Sequence, residues 1–272
     1  MKPVASGCAV GVVVVMAGCA ALGVVGDGTS VSVGKPSRGY LLDGARIPDS
    51  GDGFVTREVW IRRGARYGTD ELVELVTGVA HRMATRIHDV RIVVGDLSTR
   101  GGDGGDRFHR SHQSGRDADL LYYFRDASGK PVEPDAMHAL DRDGHAKDGS
   151  GLVLDVNRQW LLVRELLTAP EANVQWLFIY QPLAKLLIKH AEDIGEPAEL
   201  VARATLALRQ PGDSAPHDDH MHVRVYCTEA DKADGCLDMG PMELHDPDRP
   251  GVTAGLPDGL VTKLRAGANW ID

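Results

Sequence analysis

The stretch His220-Met221-His222-Val223-Arg224-Val225-Tyr226 alternates strictly between polar and apolar side chains. This period of two predicts a β-strand that buries its methionine and valines and turns both histidines to one polar face. The two imidazoles would then lie about 7 Å apart along the strand, from the rise per residue. One metal ion does not readily bind both in that arrangement. We therefore expect one histidine to be a ligand and the other to stand beside the site.

A second cluster, HRSHQSGRDAD at His109–Asp119, leads into another predicted strand at Asp117–Phe124. His112 precedes this strand, and Asp119 projects from it seven positions later. Two imidazoles and a carboxylate that leave one coordination position open are typical of a catalytic zinc site and not of a structural one. The plainer alternative is a pair of histidine-rich surface loops.

With these two clusters, the chain resembles the penicillin-insensitive murein endopeptidases. They are a branch of the zinc peptidases that also includes D-alanyl-D-alanine carboxypeptidases and hedgehog-like domains. The shared pattern is H-x6-D followed by H-x-H, and the branch adds a histidine three positions before the first histidine of each motif. In this chain the matching residues are His109, His112, Asp119, His217, His220 and His222. The resemblance extends from about Val33 to about Cys236.

The resemblance implies a role for each of these side chains. One Zn²⁺ per chain would be held by His112, Asp119 and His222. His220 would act as the general base and return the proton to the leaving amine. His217 and His109 would flank the site and hold the attacking water or the developing oxyanion. The neighbouring carboxylates, Asp117, Asp218 and Asp219, are expected to support the ligands or to remain solvated.

The amino terminus predicts export. A basic start, Met1-Lys2, is followed by an uncharged stretch of small and apolar residues from Cys8 to Val25, which is typical of a secretory signal. Met16-Ala17-Gly18-Cys19 resembles a bacterial lipobox, which favours lipidation at Cys19. We therefore expect a signal peptide at 1–18, a flexible tether at 19–34 and a peptidase domain at 35–272. The location would be periplasmic, with a lipid anchor in the outer membrane. An ordinary secreted protein and an uncleaved anchor are the alternatives.

Composition limits the partners. The formal net charge is −9, so nucleic acid and anionic lipid surfaces are poor partners. Cys227 and Cys236 lie beyond the leader, and in an exported protein this pair predicts a disulfide. The sequence leaves the oligomeric state open.

The fold class expected is α+β, with helices flanking a small antiparallel sheet that carries the zinc site in a single domain. Thr69 is predicted to cap a helix that runs to about Ile87. The remaining predictions are strands at Val90–Val94 and Val174–Tyr180, and helices at Asn157–Leu167, Pro182–His190 and Glu199–Leu206.

These features predict a zinc endopeptidase that cuts peptide cross-links in bacterial peptidoglycan, and the resemblance implies the D-alanyl–diaminopimelate bond. Three alternatives remain at this stage. A DD-carboxypeptidase would use the same centre on a free chain end. A wall-binding protein would keep the fold without catalysis. A structural zinc domain would lack the open coordination position.

Overall fold

The computed structural model describes residues 26–88, 91–102, 109–212, 214–242 and 244–245. The predicted signal peptide and the lipidation site Cys19 lie outside these ranges. The strands in chain order are β1 (Val31–Lys35), β2 (Arg38–Leu42), β3 (Ala45–Arg46), β4 (Ser50–Gly51), β5 (Phe54–Val55), β6 (Tyr67–Gly68), β7 (Ile92–Val93), β8 (Asp117–Leu121), β9 (Phe124–Arg125), β10 (Pro131–Val132), β11 (Val153–Leu154), β12 (Val174–Phe178), β13 (Leu208–Arg209) and β14 (His220–Val225). The helices are α1 (Glu58–Arg63), α2 (Asp70–Ala84), α3 (Val156–Thr168), α4 (Gln181–Ile194), α5 (Ala198–Ala207) and α6 (Glu229–Ala233).

A four-stranded sheet in the order β13-β12-β14-β8 positions the two histidine clusters. Strand β14 pairs antiparallel with β8 on one side and with β12 on the other, whereas β13 joins β12 in parallel. The predicted α+β class is thus confirmed, and the part of the sheet beneath the clusters is antiparallel as expected. The apolar side chains of β14 are buried, as its alternation predicted.

Helix α3 lies against the apolar face of this sheet, where Gln159 Nε2 contacts Met221 Sδ at 3.7 Å. Every residue from Arg158 to Thr168 is buried, so α3, which the sequence predicted at Asn157–Leu167, is a central helix of the core. Its N-cap Asp155 accepts from the Arg158 amide and also forms a buried ion pair with that residue. Because the core helix fixes β14 from behind, the polar face of the strand is free to carry the site.

Helix α2 begins where the sequence predicted, since the Thr69 hydroxyl accepts a hydrogen bond from the Leu72 amide. Its apolar stripe joins the main core. Other boundaries differ from the prediction. The strand expected to run to Phe124 ends at Leu121, and the chain resumes pairing at β9. Among the described residues, no helix is long and apolar enough to cross a membrane.

The boundary between the predicted tether and the domain also differs. Strand β1 begins at Val31 and pairs with β2 as an antiparallel hairpin. The Ser32 amide donates a hydrogen bond to Asp231 Oδ1, which connects this hairpin to α6, 199 positions later in the chain. The last residues of the predicted tether, up to 34, are therefore part of the fold.

The structure contains the predicted disulfide between Cys227 and Cys236, whose Cα atoms are 6.0 Å apart. It closes a segment that folds into α6, capped by the Thr228 side chain. Beyond the bridge, Asp238 accepts hydrogen bonds from the Cys227 amide and from Arg116. The disulfide thus fastens the end of β14 to the segment that holds Arg116 at the start of β8.

Replacing both Cys227 and Cys236 by serine should lower thermal stability and leave the metal content unchanged. A loop of about ten residues contributes roughly 2.7 kcal/mol in the chain-entropy account of cross-links. For a domain of this size that corresponds to a melting temperature lower by about 5–10 °C. Calorimetry and metal analysis of the same sample would measure both quantities, and reduced wild-type protein is the matched control. A proportionate loss of bound metal would contradict this assignment, because the bridge would then be supporting the site directly.

Candidate metal centre

Asp119 lies at the centre of the site. Antiparallel pairing places it directly opposite His222, and its side chain is fully buried. Its Oδ1 atom lies 3.4 Å from His112 Nε2, 3.3 Å from His222 Nδ1 and 3.3 Å from His220 Nε2. Within the described residues, neither carboxylate oxygen has a hydrogen-bond partner of good geometry. A buried carboxylate left in that state is costly unless a cation compensates it.

The surrounding imidazoles are oriented by their remote nitrogens. Each of the five rings has one nitrogen facing a protein oxygen, which leaves the other nitrogen for the centre. The pairs are His109 Nε2 with Asp96 Oδ2 (3.0 Å), His112 Nδ1 with the Leu97 carbonyl (2.9 Å), His217 Nδ1 with the Ala215 carbonyl (2.9 Å), His220 Nδ1 with Asp219 Oδ1 (2.7 Å) and His222 Nε2 with Asp117 Oδ1 (3.1 Å). Such outer contacts fix the tautomer of metal-binding histidines. Five rings oriented in this way, four of them with a nitrogen 3.3–3.8 Å from a carboxylate oxygen of Asp119, indicate a site built to hold a cation.

The distances fit a tetrahedral ion. Ligand atoms about 2.1 Å from a tetrahedral Zn²⁺ stand about 3.4 Å from one another. The separations of Asp119 Oδ1 from His112 Nε2 and from His222 Nδ1 match this value. Two groups of three metal-binding side chains meet here, one formed by His109, His112 and Asp119 and the other by His217, His220 and His222. The residues present therefore fit a metal ion.

Asp117 supports the centre from behind. It is fully buried and accepts two hydrogen bonds from Arg224, at 2.6 and 3.1 Å. It also accepts from the His112 backbone amide at 2.9 Å and lies against His222 Nε2. Burial opposes its ionisation, but Arg224 and His222 hold the pKa of Asp117 well below its usual range. Asp117 thus connects His112 and His222, two of the predicted ligands, to the guanidinium of Arg224 on strand β14.

The histidines differ in their affinity for protons. Burial lowers the pKa of His222 to about 3 and that of His217 to about 4. Burial acts in the same direction on His220, but the carboxylates of Asp119 and Asp219 outweigh it and raise its pKa to about 10. Because a metal ligand must be neutral, the low pKa of His222 is compatible with metal binding, whereas His220 is the more basic ring of the same strand.

The backbone is strained at two of these histidines. Among the described residues, positive φ angles outside glycine occur at Asp43, His112 and His217, with values of 68° and 54° for the two histidines. Positive φ angles are unfavourable for residues that have a β-carbon, and backbone strain of this kind concentrates at functional sites. The Tyr122 hydroxyl and the Tyr180 amide both donate to the His217 carbonyl and so hold its turn in place.

Asp96 is a site residue that the sequence analysis missed. It is fully buried and lies two positions beyond Val94, the last residue of the predicted strand. Its Oδ2 atom lies 3.0 Å from His109 Nε2 and accepts a hydrogen bond from Arg63 Nη1 at 2.6 Å. Its carbonyl accepts from the Asp119 amide at 2.9 Å. A buried strand followed at once by Gly-Asp was the available signal, but no spacing in the sequence connects this carboxylate to the histidines.

A cleft of about 570 Å³ opens over the centre. Its lining includes the predicted site residues His109, Asp119, His217, His220 and His222, together with Arg63, Arg110 and Met137. His112 lies beneath the centre and is buried. The structure therefore brings all six predicted side chains of the two motifs together, with His109 on one side of Asp119 and His217 on the side of His220. This volume lies within the range of small-molecule and peptide pockets.

Comparison with known proteins gives one consistent result. The sequence profile of the family described as penicillin-insensitive murein endopeptidase matches residues 32–247. A penicillin-insensitive murein endopeptidase of Haemophilus influenzae is 25% identical over 255 residues, which cover 85% of this chain and 79% of that protein. One of Klebsiella pneumoniae is 24% identical over 243 residues, 83% of this chain and 80% of the relative. One of Salmonella paratyphi C is 24% identical over 203 residues, which cover 74% of this chain and 68% of that protein.

Proposed function

This chain belongs to the penicillin-insensitive murein endopeptidase family, and on that premise we propose that it is a metallo-endopeptidase that hydrolyses peptide cross-links of bacterial peptidoglycan. The observation that carries the proposal is the group of five oriented imidazoles at the buried carboxylate of Asp119, four of which have a nitrogen within 3.8 Å of a carboxylate oxygen. The substrate is inferred from the family, and the hydrolytic chemistry is inferred from the side chains of the site.

We propose Zn²⁺ as the ion, held by His112, Asp119 and His222. Two imidazoles and one carboxylate suit zinc in an open, catalytic coordination. When bound, zinc polarises the scissile carbonyl and makes a strong nucleophile available at neutral pH. Asp117 and the Leu97 carbonyl keep the ligating faces of the two histidines turned inwards.

In this proposal His220 handles the proton. Its Nε2 atom lies 3.3 Å from Asp119 Oδ1 in the lining of the cleft, and its Nδ1 atom lies 2.7 Å from Asp219 Oδ1. The high pKa of His220 arises from the charge on Asp119 and Asp219, so it falls once a cation offsets Asp119. The ring can then take the proton of the attacking water and deliver it to the leaving amine.

The two flanking histidines have separate tasks. Neutral His217 donates from Nδ1 to the Ala215 carbonyl, which leaves Nε2 as an acceptor. It is therefore suited to hold the attacking water and not an oxyanion. His109, oriented by Asp96, faces the opposite side of Asp119 with Nδ1 3.8 Å from Oδ2.

Purified cross-linked muropeptide dimers test the proposed function. The protein should convert them to monomers by cutting the D-alanyl–diaminopimelate bond. A chelator should abolish this activity, and one equivalent of Zn²⁺ per chain should restore it. Release of only a terminal D-alanine from monomers would show a DD-carboxypeptidase. Binding without cleavage of either substrate would show an inert wall-binding protein.

We further propose export to the periplasm and lipidation at Cys19, on the basis of the Met16-Ala17-Gly18-Cys19 motif. The mature protein should then begin at Cys19 and partition with membranes, and the segment before Val31 would serve as the tether. Mass spectrometry of the amino-terminal peptide would measure the lipid directly. An unmodified terminus further along the chain would show a secreted protein instead.

A further inference from the structure

The polar face of the sheet continues from the metal centre onto strand β12. Antiparallel pairing places Phe178 directly opposite His222, and His222 directly opposite Asp119. Side chains that stand opposite each other on one face of neighbouring strands are about 5 Å apart at Cβ and contact each other. The proposed ligand His222 therefore lies between the carboxylate of Asp119 on β8 and the phenyl ring of Phe178 on β12.

The ring of Phe178 contacts two histidines of the site. Its centroid lies 5.3 Å from that of His222, with an interplanar angle of 77°, and 5.9 Å from that of His217, with an angle of 32°. Both separations are those of stabilising aromatic pairs, and the first has their edge-to-face geometry. If the His222 imidazole turned away from Asp119 towards β12, it would meet this ring. Phe178 therefore keeps His222 Nδ1 beside the carboxylate, 3.3 Å from Oδ1.

Neighbouring side chains hold Phe178 itself in place. The Arg224 guanidinium lies 5.1 Å from the centre of its ring and is bound in turn by Asp117. On the same face of β12, Trp176 stacks against Phe178 with their centroids 5.6 Å apart, and the Trp176 indole Nε1 donates to the Met239 carbonyl. Cation–π and stacking contacts of this kind stabilise one position of the ring. Phe178 can thus act as a fixed wall for the two histidines.

We propose that Phe178 is a positioning residue of the metal centre, whose ring fixes the metal-binding orientation of His222 and the orientation of His217. The part that acts through His222 is measured by metal binding alone, whereas the part that acts through His217 rests on the proposed function. Loss of one aromatic contact corresponds to about 2- to 10-fold in an equilibrium or rate constant. We therefore expect the ring to affect zinc affinity and kcat separately.

Phe178→Leu tests the first part, because leucine keeps an apolar side chain but removes the ring. Its dissociation constant for zinc, measured by competition with a chromophoric chelator, should rise about 2- to 10-fold. Phe178→Tyr retains the ring and should bind zinc like the wild type. Phe124→Leu is the matched control, since the Phe124 ring meets His138 at 5.4 Å and the same angle of 77°, and His138 pairs with Asp148 outside the metal centre. It should lower the melting temperature and leave zinc affinity unchanged.

The second part is tested with muropeptide dimers at saturating zinc. There Phe178→Leu should lower kcat about 2- to 10-fold and leave KM nearly unchanged, because the ring acts through His217 and not on the bound substrate. In a His217→Ala background the same change should cause no further loss in kcat, but it should still weaken zinc binding. Such a double-mutant cycle isolates the effects that pass through His217.

Wild-type zinc affinity in Phe178→Leu would overturn the inference, because the ring would then only pack the sheet. An equal loss of affinity in Phe124→Leu would show that affinity follows stability, and an equal loss in Phe178→Tyr would show that the ring is not what His222 requires. The same fall in kcat with and without His217 would remove the role at that histidine. If the wild-type protein binds zinc but cuts no dimer, the proposed function has failed, while the zinc measurements still decide the role of Phe178 at His222.

Discussion

Replacing His222 by alanine should remove both the bound metal and the activity, whereas His220→Ala should keep its metal and lose about 10²- to 10⁴-fold in kcat, the usual contribution of a general base. Both rings lie 3.3 Å from Asp119 Oδ1, so distance alone does not separate them. Their surroundings do. The His222 side chain is 5% exposed and its outer nitrogen faces the ionised Asp117, whereas His220 is 15% exposed at the cleft and is held by Asp219.

Metal analysis after dialysis, beside turnover of muropeptide dimers, measures both effects in each variant. His81→Ala is the matched control, because that ring pairs with Asp52 at the surface and should leave metal and activity unchanged. An equal fall in metal content for the His220 and His222 variants would make both of them ligands. The proposed division of roles between these two histidines on one face of β14 would then be wrong.

Much of this site follows from local sequence pattern. The alternation from His220 to Val225 determines which side chains face the core, and a single antiparallel register then places His222 opposite Asp119. The spacing of His112 from Asp119 needs only a turn before the strand. The alternation and the spacing were predictable because each depends on a period of two or on neighbours within ten residues, whereas the register of His222 against Asp119 joins strands that are far apart in the sequence.

Other parts of the site depend on contacts between distant segments. Arg63 meets Asp96 across 33 positions, and neither residue lies in a recognisable motif. The two-residue strands β3 to β6 are too short to show any alternation, so no sequence period predicts them, whereas β7 lies within the strand predicted at Val90–Val94. Helix α6 was missed for a different reason, since Thr228 followed three positions later by Asp231 is an ordinary capping signal.

The second large effect is expected from breaking the ion pair of Asp117 and Arg224. Asp117→Asn leaves the guanidinium of Arg224, 13% exposed, without its carboxylate, and breaking a buried pair from one side costs about 3–5 kcal/mol in the free energy of unfolding. The same change removes the anion behind His222 Nε2. Loss of such a supporting carboxylate typically lowers metal affinity about 10- to 100-fold. We therefore expect a protein that melts earlier and needs excess Zn²⁺ for activity.

Asp155→Asn separates the two effects. Asp155 is also a buried carboxylate bound by two arginines, Arg158 Nη1 at 2.7 Å and Arg125 Nε at 2.8 Å, but its partners lie on α3 and β9, away from the metal centre. It should cost a similar amount of stability and leave metal affinity unchanged, as measured by zinc competition with a chromophoric chelator. If Asp117→Asn also binds zinc with wild-type affinity, the carboxylate behind His222 serves only to hold two strands together. A selective loss of affinity in Asp117→Asn would instead show that the ion pair between β8 and β14 sets the strength of the metal site.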